Sequence, residues 1–348
     1  MGILAAIIVI GILVTVHELG HFATAKMTGM RVEEFAIGFG PEIFSFKKGE
    51  TKYSLRLVPL GGYNKISGME PDLPKPGDWQ NVETKDGRGF NEKSIPARFL
   101  VIVAGATMNF LLPILIYAGT SFFVGVEDIT EQPYLGQVQE SGSAYSAGIR
   151  SGDLLLKIND KKIQNWDNVI EIIRDNGEKE LTVQVKREKE TKIFKMTPKM
   201  NKEYGRAMIG IAPAYEVKQL GIFRSLQFGV EKTFLTMKYM CKGIYDIIFG
   251  SAPADLSGPI GVAMVAGKVA SKGSLALLNF TAFLSINLGI INLLPLPALD
   301  GGHAILLLLE GLRGKPLPAK AMEYIQYAGI ALILAITLFA TYKDLLRF

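Results

Sequence analysis

The stretch VTVHELGHFATAK, residues 14–26, places two histidines and a glutamate within a long run of apolar and small residues. The run begins at residue 3 with ILAAIIVIGILVTV, and as a helix rising roughly 1.5 Å per residue it can cross about 30 Å of hydrocarbon. No basic residue precedes it and no small-residue cleavage site closes it, as a signal peptide would require. We therefore predict a first membrane span over 3–25, with a polar cluster inside it.

The composition indicates a chain that lies partly in a membrane and partly in water. Of its 348 residues, 49% are hydrophobic and 20% are charged. The net charge of +5 is spread through loops, and no RNA or DNA motif is present, so we expect no nucleic-acid partner. Cys241 is the single cysteine, which excludes an internal disulfide.

Three further apolar segments predict spans at about 97–124, 275–299 and 323–342, and Pro96 stands where the second helix would start. The third segment contains Pro295 and Pro297, which end a helix at membrane depth. Such a break is tolerated only where protein or a wet cavity surrounds it.

Residues 219–249 differ from these segments because lysines interrupt their apolar positions, which is typical of an interfacial amphipathic helix. The fold class we predict is a polytopic α-helical membrane protein with four transmembrane helices.

The distribution of basic residues predicts the topology. Loop 26–98 and the short loop that holds Arg313, Lys315 and Lys320 carry several of them, which favours the cytoplasmic side. Residues 127–215 then lie outside. His17 is roughly 21 Å into the first span, and a residue at the end of the third span reaches the same cytoplasmic half.

His17-Glu18-Leu19-Gly20-His21 is an H-E-x-x-H motif. On a helix, the i, i+4 spacing points both imidazoles from one face, as two zinc ligands require. Glu18 could take a proton from the attacking water and later deliver it to a leaving amine. Alternatively, these are ordinary core polar residues, but ionisable groups inside a span are costly and favour a functional reading.

A catalytic zinc requires a third protein ligand and an open position. Glu33 and Glu34 fall in the basic loop, whereas LDGGH at 299–303 offers Asp300 and His303. Asp300 directly follows the proline-broken stretch at the predicted depth. His303 remains an alternative ligand, although a histidine in such a position more often hydrogen-bonds to a metal ligand or lies at a helix end.

HELGH on a first span together with NLLPLPALDGG (292–302) resembles the site-2 protease family of intramembrane metalloproteases. The closest resemblance is to its bacterial regulator of sigma-E protease branch, which cleaves anti-sigma factors and signal-peptide remnants. Other segments carry the resemblance along nearly the whole chain: FAIGFGPEIFSF (35–46) and PLGGYNKISGME (59–70) resemble a membrane-associated β-hairpin region, AGATMN (104–109) a second-span signature, and SGPIGVA (257–263) the approach to the third span.

The resemblance implies one catalytic Zn²⁺ held by His17, His21 and Asp300, with Glu18 as the acid and base. Ala106 departs from the family pattern, which commonly has proline there, and we expect a change of local helix shape and not of chemistry.

The resemblance also implies that Asn287 and Asn292 hold the unwound substrate backbone near the zinc. The alternative for both asparagines is hydrogen bonding between helices within the membrane. An edge of the hairpin at 35–66 could take up further backbone groups of the opened substrate.

Residues 127–215 resemble a PDZ domain of the kind found in bacterial proteases, most clearly in SAGIRSGDLLLKIND (146–160). Such domains capture strands or chain ends, and YLGQ (134–137) is our candidate for the capturing loop. Equally, the domain could act as a size filter with an empty groove. Relatives with two tandem exterior domains are known in the family, whereas about 90 residues are available here.

Four parts follow from these patterns. Residues 1–126 form the first two spans with the zinc motif and the hairpin, 127–215 the inserted α+β PDZ-like domain, 216–274 the amphipathic helix and a linker, and 275–348 the last two spans with the LDG motif.

The function we predict is intramembrane zinc endopeptidase activity on transmembrane segments of single-span proteins. The expected partners are these substrates, the lipid bilayer, and a peptide or chain end at the PDZ-like domain. The expected location is the bacterial cytoplasmic membrane, with the active site towards the cytoplasm.

Two other functions are open to the same sequence. A membrane scaffold or receptor with a PDZ domain could keep a structural zinc, although structural sites usually complete four protein ligands. A zinc transporter would need a polar path, which the second and fourth apolar segments do not offer.

Overall fold

The computed structural model describes residues 2–69, 86–201, 206–250 and 258–347. Glu70 and Ser257, which belong to the motifs at 59–70 and 257–263, lie outside the described residues. The chain divides into two compact units, one of residues 1–121 with 221–348, and the other of residues Phe122–Leu220.

Helices dominate the first unit, and short strands dominate the second. The described helices are α1 Gly2–Met27, α2 Ile95–Phe123, α3 Ser143–Ser146, α4 Trp166–Asp175, α5 Ile222–Ile248, α6 Pro259–Ala270, α7 Ser274–Leu293, α8 Asp300–Arg313 and α9 Ala319–Arg347. The described strands are β1 Val32–Lys48, β2 Thr51–Ile66, β3 Val126–Ile129, β4 Leu135–Val138, β5 Leu154–Ile158, β6 Lys161–Lys162, β7 Leu181–Arg187, β8 Glu190–Met196, β9 Lys199–Asn201, β10 Arg206–Met208, β11 Ile211–Pro213 and β12 Tyr215–Lys218.

Four of the described helices are long and apolar enough to cross a membrane: Leu4–Met27, Ile95–Phe123, Ser274–Leu293 and Lys320–Leu346. A helix satisfies its backbone hydrogen bonds internally, which hydrocarbon demands. The four predicted spans are therefore present as helices of the required length and composition. The third is shorter than predicted, because Leu294 precedes a proline and takes an extended conformation.

The hairpin predicted after the first span is observed as β1 and β2, which turn at Gly49, where φ is +64°. Residues 32–37 of β1 pair with residues 62–66 of β2 along one edge and with residues 52–55 of β2 along the other. Where β2 passes α1, a side chain on Gly62 would lie 3.3 Å from Cγ of Glu18. The hairpin thus packs beside the H-E-x-x-H motif.

The predicted amphipathic helix is observed as α5. A side chain on Gly229 would lie 2.5 Å from the carbonyl oxygen of Ile114, so α5 approaches α2 closely at this glycine. Met237 and Met240 pack with Tyr117. The helix is held along one face by the spans.

The proline-broken stretch leads directly into a helix that the sequence reading did not anticipate. Ala298 has φ +67°, a strained value for a residue with a side chain, and α8 begins two residues later. The predicted loop is shorter than expected. Arg313 is the last residue of α8, which is capped by Gly314 with φ +70°, and Lys320 belongs to α9, so Lys315 alone of the three basic residues lies between the helices. Glu310 of α8 pairs with Arg98 of α2 at 2.5 Å.

The second unit contains a sheet of order β6-β5-β7-β8 with α4 packed against it. The helix predicted near 166–176 is confirmed as α4, whose first turn is capped by Asn165. The core of the second unit consists of buried aliphatic side chains, among them Leu135, Ile149, Leu155, Val169, Ile172, Leu181 and Val183.

A buried ion pair, the Asp153 clasp, stabilises the turn before β5. Both oxygens of Asp153 accept hydrogen bonds from Arg187, at 2.7 and 2.8 Å, and the backbone N–H of Arg150 donates to Oδ2 at 2.9 Å. Burial raises the pKa of the Asp153 carboxyl, but these hydrogen bonds outweigh it, and the pKa lies below its ordinary value.

YLGQ (134–137) lies mostly in a strand and not in a loop, and its role in capturing a chain end stays a prediction. Residues Leu135–Val138 form β4, which pairs with β11, and the N–H of Leu135 donates to the carbonyl of Asp153.

Candidate metal centre

The side chains of His17, His21 and Asp300 converge on one point in the first unit. One ligand atom from each lies within 4.8 Å of the others. Oδ2 of Asp300 is 3.3 Å from Nε2 of His17 and 3.5 Å from Nε2 of His21, and the two Nε2 atoms are 3.1 Å apart. The fold thus brings together the three residues that the sequence pointed to, and their role as ligands stays a prediction.

A glycine on α2 provides the room for the two imidazoles. A Cβ atom on Gly105 would lie 2.3 Å from Nε2 of His21 and 2.6 Å from Cε1 of His17, which is closer than atoms can approach. At Gly20 the helices α1 and α2 come equally close, because a Cβ there would lie 2.4 Å from the carbonyl of Ala104. Gly105 belongs to the AGATMN signature. At this position the signature needs a glycine because any side chain would overlap the imidazoles.

Asp300 begins α8, where glycines let the helix approach the end of α7. A Cβ on Gly301 would lie 2.3 Å from the carbonyl of Leu294, so a larger residue could not be placed there. Oδ2 of Asp300 is buried and has no hydrogen-bond partner among the described residues. A buried carboxylate oxygen without a partner costs free energy, and a bound cation would remove that cost.

The donor set fits zinc. Two imidazole nitrogens and one carboxylate oxygen are a common catalytic set that leaves the fourth position open. Both histidines are more than nine-tenths buried. Nδ1 of His21 lies 2.8 Å from the carbonyl oxygen of Val101 and donates to it, which leaves Nε2 unprotonated and able to bind a metal.

Two asparagines flank the other nitrogen of His17. Nδ2 of Asn109 lies 3.1 Å from Nδ1 of His17, and Nδ2 of Asn292 lies 3.4 Å from it. Asn292 was expected beside the substrate, and it is next to a candidate ligand. Asn109 ends the AGATMN signature, and the sequence assigns it no role at the metal centre, although a polar side chain within a predicted span is a signal for one. Asn287 is half-buried and makes no side-chain hydrogen bond within the described part of the chain.

Asn64 of the hairpin is a second residue that the sequence reading missed. Its Nδ2 donates to the backbone oxygen of Glu18 at 2.6 Å and to Oε2 of the same residue at 2.7 Å. No sequence pattern linked it to Glu18, because the two residues belong to different elements. The hairpin thus holds the carboxylate that the motif assigns as base.

The other candidate ligands are engaged elsewhere. Nε2 of His303 lies 3.2 Å from Nε2 of Gln326 on α9. Ser67 donates to Glu33, and Arg56 donates to Glu34, both within the hairpin. Among the described residues, the group that could hold a metal is His17, His21 and Asp300.

Four helices apolar enough to cross a membrane, together with two histidines and one aspartate that could hold a metal, are typical of a metallopeptidase embedded in a membrane. The chain belongs to peptidase family M50, whose family model matches residues 5–336. It is a bacterial membrane zinc metalloprotease, and its cofactor is Zn²⁺.

Two relatives extend over the whole chain. The regulator of sigma-W protease RasP of Bacillus subtilis (strain 168) is 32% identical over 416 aligned residues, which cover 99% of this chain and 98% of that protein. The zinc metalloprotease RasP of Geobacillus kaustophilus (strain HTA426) is 31% identical, with 100% and 98% covered.

Among solved structures, the PDZ domain of the SdrC-like protein Lmo2051 from Listeria monocytogenes matches 26% of this chain and 94% of its own length. The sequence identity is 18% and the TM-score is 0.23.

Proposed function

We propose that this zinc peptidase cleaves transmembrane segments of single-span membrane proteins, with the metal held by His17, His21 and Asp300. The observation that carries the proposal is the convergence of three ligand atoms within 4.8 Å. Two of them belong to α1, a helix apolar enough to span a membrane, and the third belongs to Asp300 at the start of α8. A peptide bond must come to this buried group to be cut, so the substrate is one that enters the bilayer.

Zinc bound there supplies the Lewis acidity that lets water attack a peptide carbonyl near neutral pH. Glu18 would accept the proton of the attacking water and then deliver it to the leaving amine. Asn64 would hold the carboxylate of Glu18 in one orientation during both transfers, since its amide already donates to Oε2.

A substrate helix has its carbonyls engaged internally and must be opened before attack. Residues 62–66 pair with 32–37 on one side, and no strand among the described residues pairs with their other side. This edge, next to Glu18, would take up the opened backbone by β-augmentation. Asn287 and Asn292 would contact the same extended segment from α7.

Anti-sigma factors and signal-peptide remnants are the substrates we propose, in keeping with the sigma-W regulatory name of the Bacillus subtilis relative. The zinc would lie in the cytoplasmic half of the bilayer and residues 127–215 outside the cell, as the basic residues of the two loops favour.

The PDZ-like assignment of residues 127–215 is likewise our proposal. A cavity of about 550 Å³ in this unit, with Tyr134, Pro213 and Tyr215 in its lining, favours capture of a peptide over a purely steric filter.

The experiment that tests the peptidase assignment is Glu18→Gln in the purified full chain. Cleavage of a single-span reporter should fall below detection while the zinc content is unchanged, because Glu18 moves protons and does not bind the metal. Glu216→Gln, the same chemical change at an exposed position, should leave cleavage intact. Turnover retained by the Glu18 variant would refute the mechanism.

A further inference from the structure

Asn109 is a fully buried polar residue on α2 that the mechanism has not used. Its backbone oxygen accepts a hydrogen bond from Oγ of Ser285 at 2.7 Å, which ties this point of α2 to α7. Its side-chain amide lies against Nδ1 of His17, at 3.1 Å, and its Oδ1 is buried without a hydrogen-bond partner among the described residues.

The chemistry of the imidazole decides which amide atom belongs beside it. Nε2 of His17 faces Oδ2 of Asp300 and is the atom that binds a metal. A neutral imidazole has one donor and one acceptor nitrogen, so Nδ1 must then carry the proton and donate it. An amide nitrogen cannot accept that proton, whereas the amide oxygen can.

The oxygen and nitrogen of an asparagine amide exchange places by a half-turn about the last side-chain bond, with no other atom displaced. The half-turn places Oδ1 of Asn109 beside Nδ1 of His17. Asn292 is the weaker candidate for this contact, because its amide lies at 3.4 Å and its side chain is only half-buried.

We propose that Asn109 is a positioning residue for the metal centre: its side-chain oxygen accepts the Nδ1 proton of His17 and presents Nε2 to zinc. The proposal rests on the zinc site proposed above. One face of α2 then serves both histidines, since Val101, Gly105 and Asn109 follow one another at intervals of four residues. The carbonyl of Val101 orients His21, Gly105 leaves the space, and Asn109 orients His17.

Two substitutions separate this role from a packing role. Asn109→Leu keeps the size and removes the acceptor, so zinc should bind about 10- to 100-fold more weakly, as is typical for loss of such a partner. Asn109→Asp offers an oxygen in either orientation and should keep the affinity within about threefold of the parent. Asn279→Leu, the same change elsewhere in the spans, is the matched control and should have no effect.

The measurement is zinc affinity by chelator competition in the purified full chain, independent of cleavage. Equal loss in Asn109→Asp and Asn109→Leu would overturn the proposal, because the amide would then be a donor. Unchanged affinity in Asn109→Leu would also overturn it. If His21→Ala leaves zinc binding intact, the zinc site itself is wrong. If His21→Ala loses zinc affinity and the Asn109 variants do not, the positioning role of Asn109 is refuted and the zinc site stands.

A spectroscopic readout keeps the proposal testable if Asn109→Leu fails to fold. The chain has three histidines, so ¹⁵N-histidine labelling gives three rings to assign. In the zinc-loaded parent, His17 should carry its proton on Nδ1, and a proton on Nε2 would overturn the proposal. Asn109→Asp should keep the Nδ1-protonated form.

Discussion

Each unit holds an aspartate with a buried carboxylate oxygen: Asp153, which is fully buried, and Asp300, which is partly buried. The two carboxylates differ in what they contact. Asp153 in the second unit receives hydrogen bonds on both oxygens from Arg187 and the backbone of Arg150. Oδ2 of Asp300 in the first unit has no hydrogen-bond partner among the described residues and faces two imidazole nitrogens. A satisfied buried acid stabilises its own fold, whereas an unsatisfied one beside other ligand atoms indicates a site that binds something.

Replacing Asp300 with alanine should have the largest effect on function and little on folding. We expect zinc affinity to fall by more than about 100-fold, since loss of a direct ligand exceeds the 10- to 100-fold typical of a residue that only supports one. Metal content and reporter cleavage of the purified chain measure this. A variant that retains zinc would show that Asp300 is not a metal ligand. The proposed difference between Asp300, which binds a metal, and Asp153, which binds an arginine, would then be wrong.

Gly105→Ala tests whether the two imidazoles need the space that the absent side chain of Gly105 leaves. The added methyl would overlap both imidazoles, and we expect zinc affinity to fall by about 10- to 100-fold because the rings must turn away. Gly119→Ala is the matched control on the same helix, where a Cβ meets nothing within 4 Å, and it should bind zinc as the parent does. Similar affinity in both variants would contradict the steric role of Gly105.

Asp153→Ala should show the reverse behaviour, with a loss of stability and no loss of zinc. Removing the acid leaves Arg187 without its carboxylate partner, and because this guanidinium is partly exposed we expect about 2 kcal/mol of destabilisation of the second unit. Hydrogen exchange of residues 122–220 in the full chain measures this. Lower zinc affinity in this variant would mean that the effect of the Asp153 clasp is not confined to the second unit.

The smallest expected effect is a pH dependence of the second unit that depends on Asp153. The pKa of this carboxyl lies below its ordinary value of 3.8, so its stabilisation is complete above about pH 4 and is lost as the pH falls through the folded-state pKa. The protection factors of amides in the second unit, which correct for the slower intrinsic exchange in acid, should fall on acidification below pH 4. Asp153→Asn should remove this contribution, and an unchanged acid profile would exclude the clasp as its source.

Local patterns predicted much of the fold. The four spans follow from long apolar runs, α4 from its helical periodicity, and the hairpin from its strand-like, glycine-rich composition and family resemblance. The helix α8 was missed because the proline-broken stretch and the glycines of LDGGH indicate a loop. Those glycines are needed for close contact with the end of α7, which a sequence alone does not reveal.

The sequence by itself determined the spans, the hairpin and the H-E-x-x-H pair, because each depends on spacing within a single element. Only the tertiary structure decided that Asp300 joins the histidines while His303 turns to Gln326, and that Asn64 and Asn109 lie against the motif. The physical reason is that these contacts join elements far apart in the chain. Their distances depend on how closely helices can pack at glycines such as Gly20 and Gly105, and no local periodicity records that.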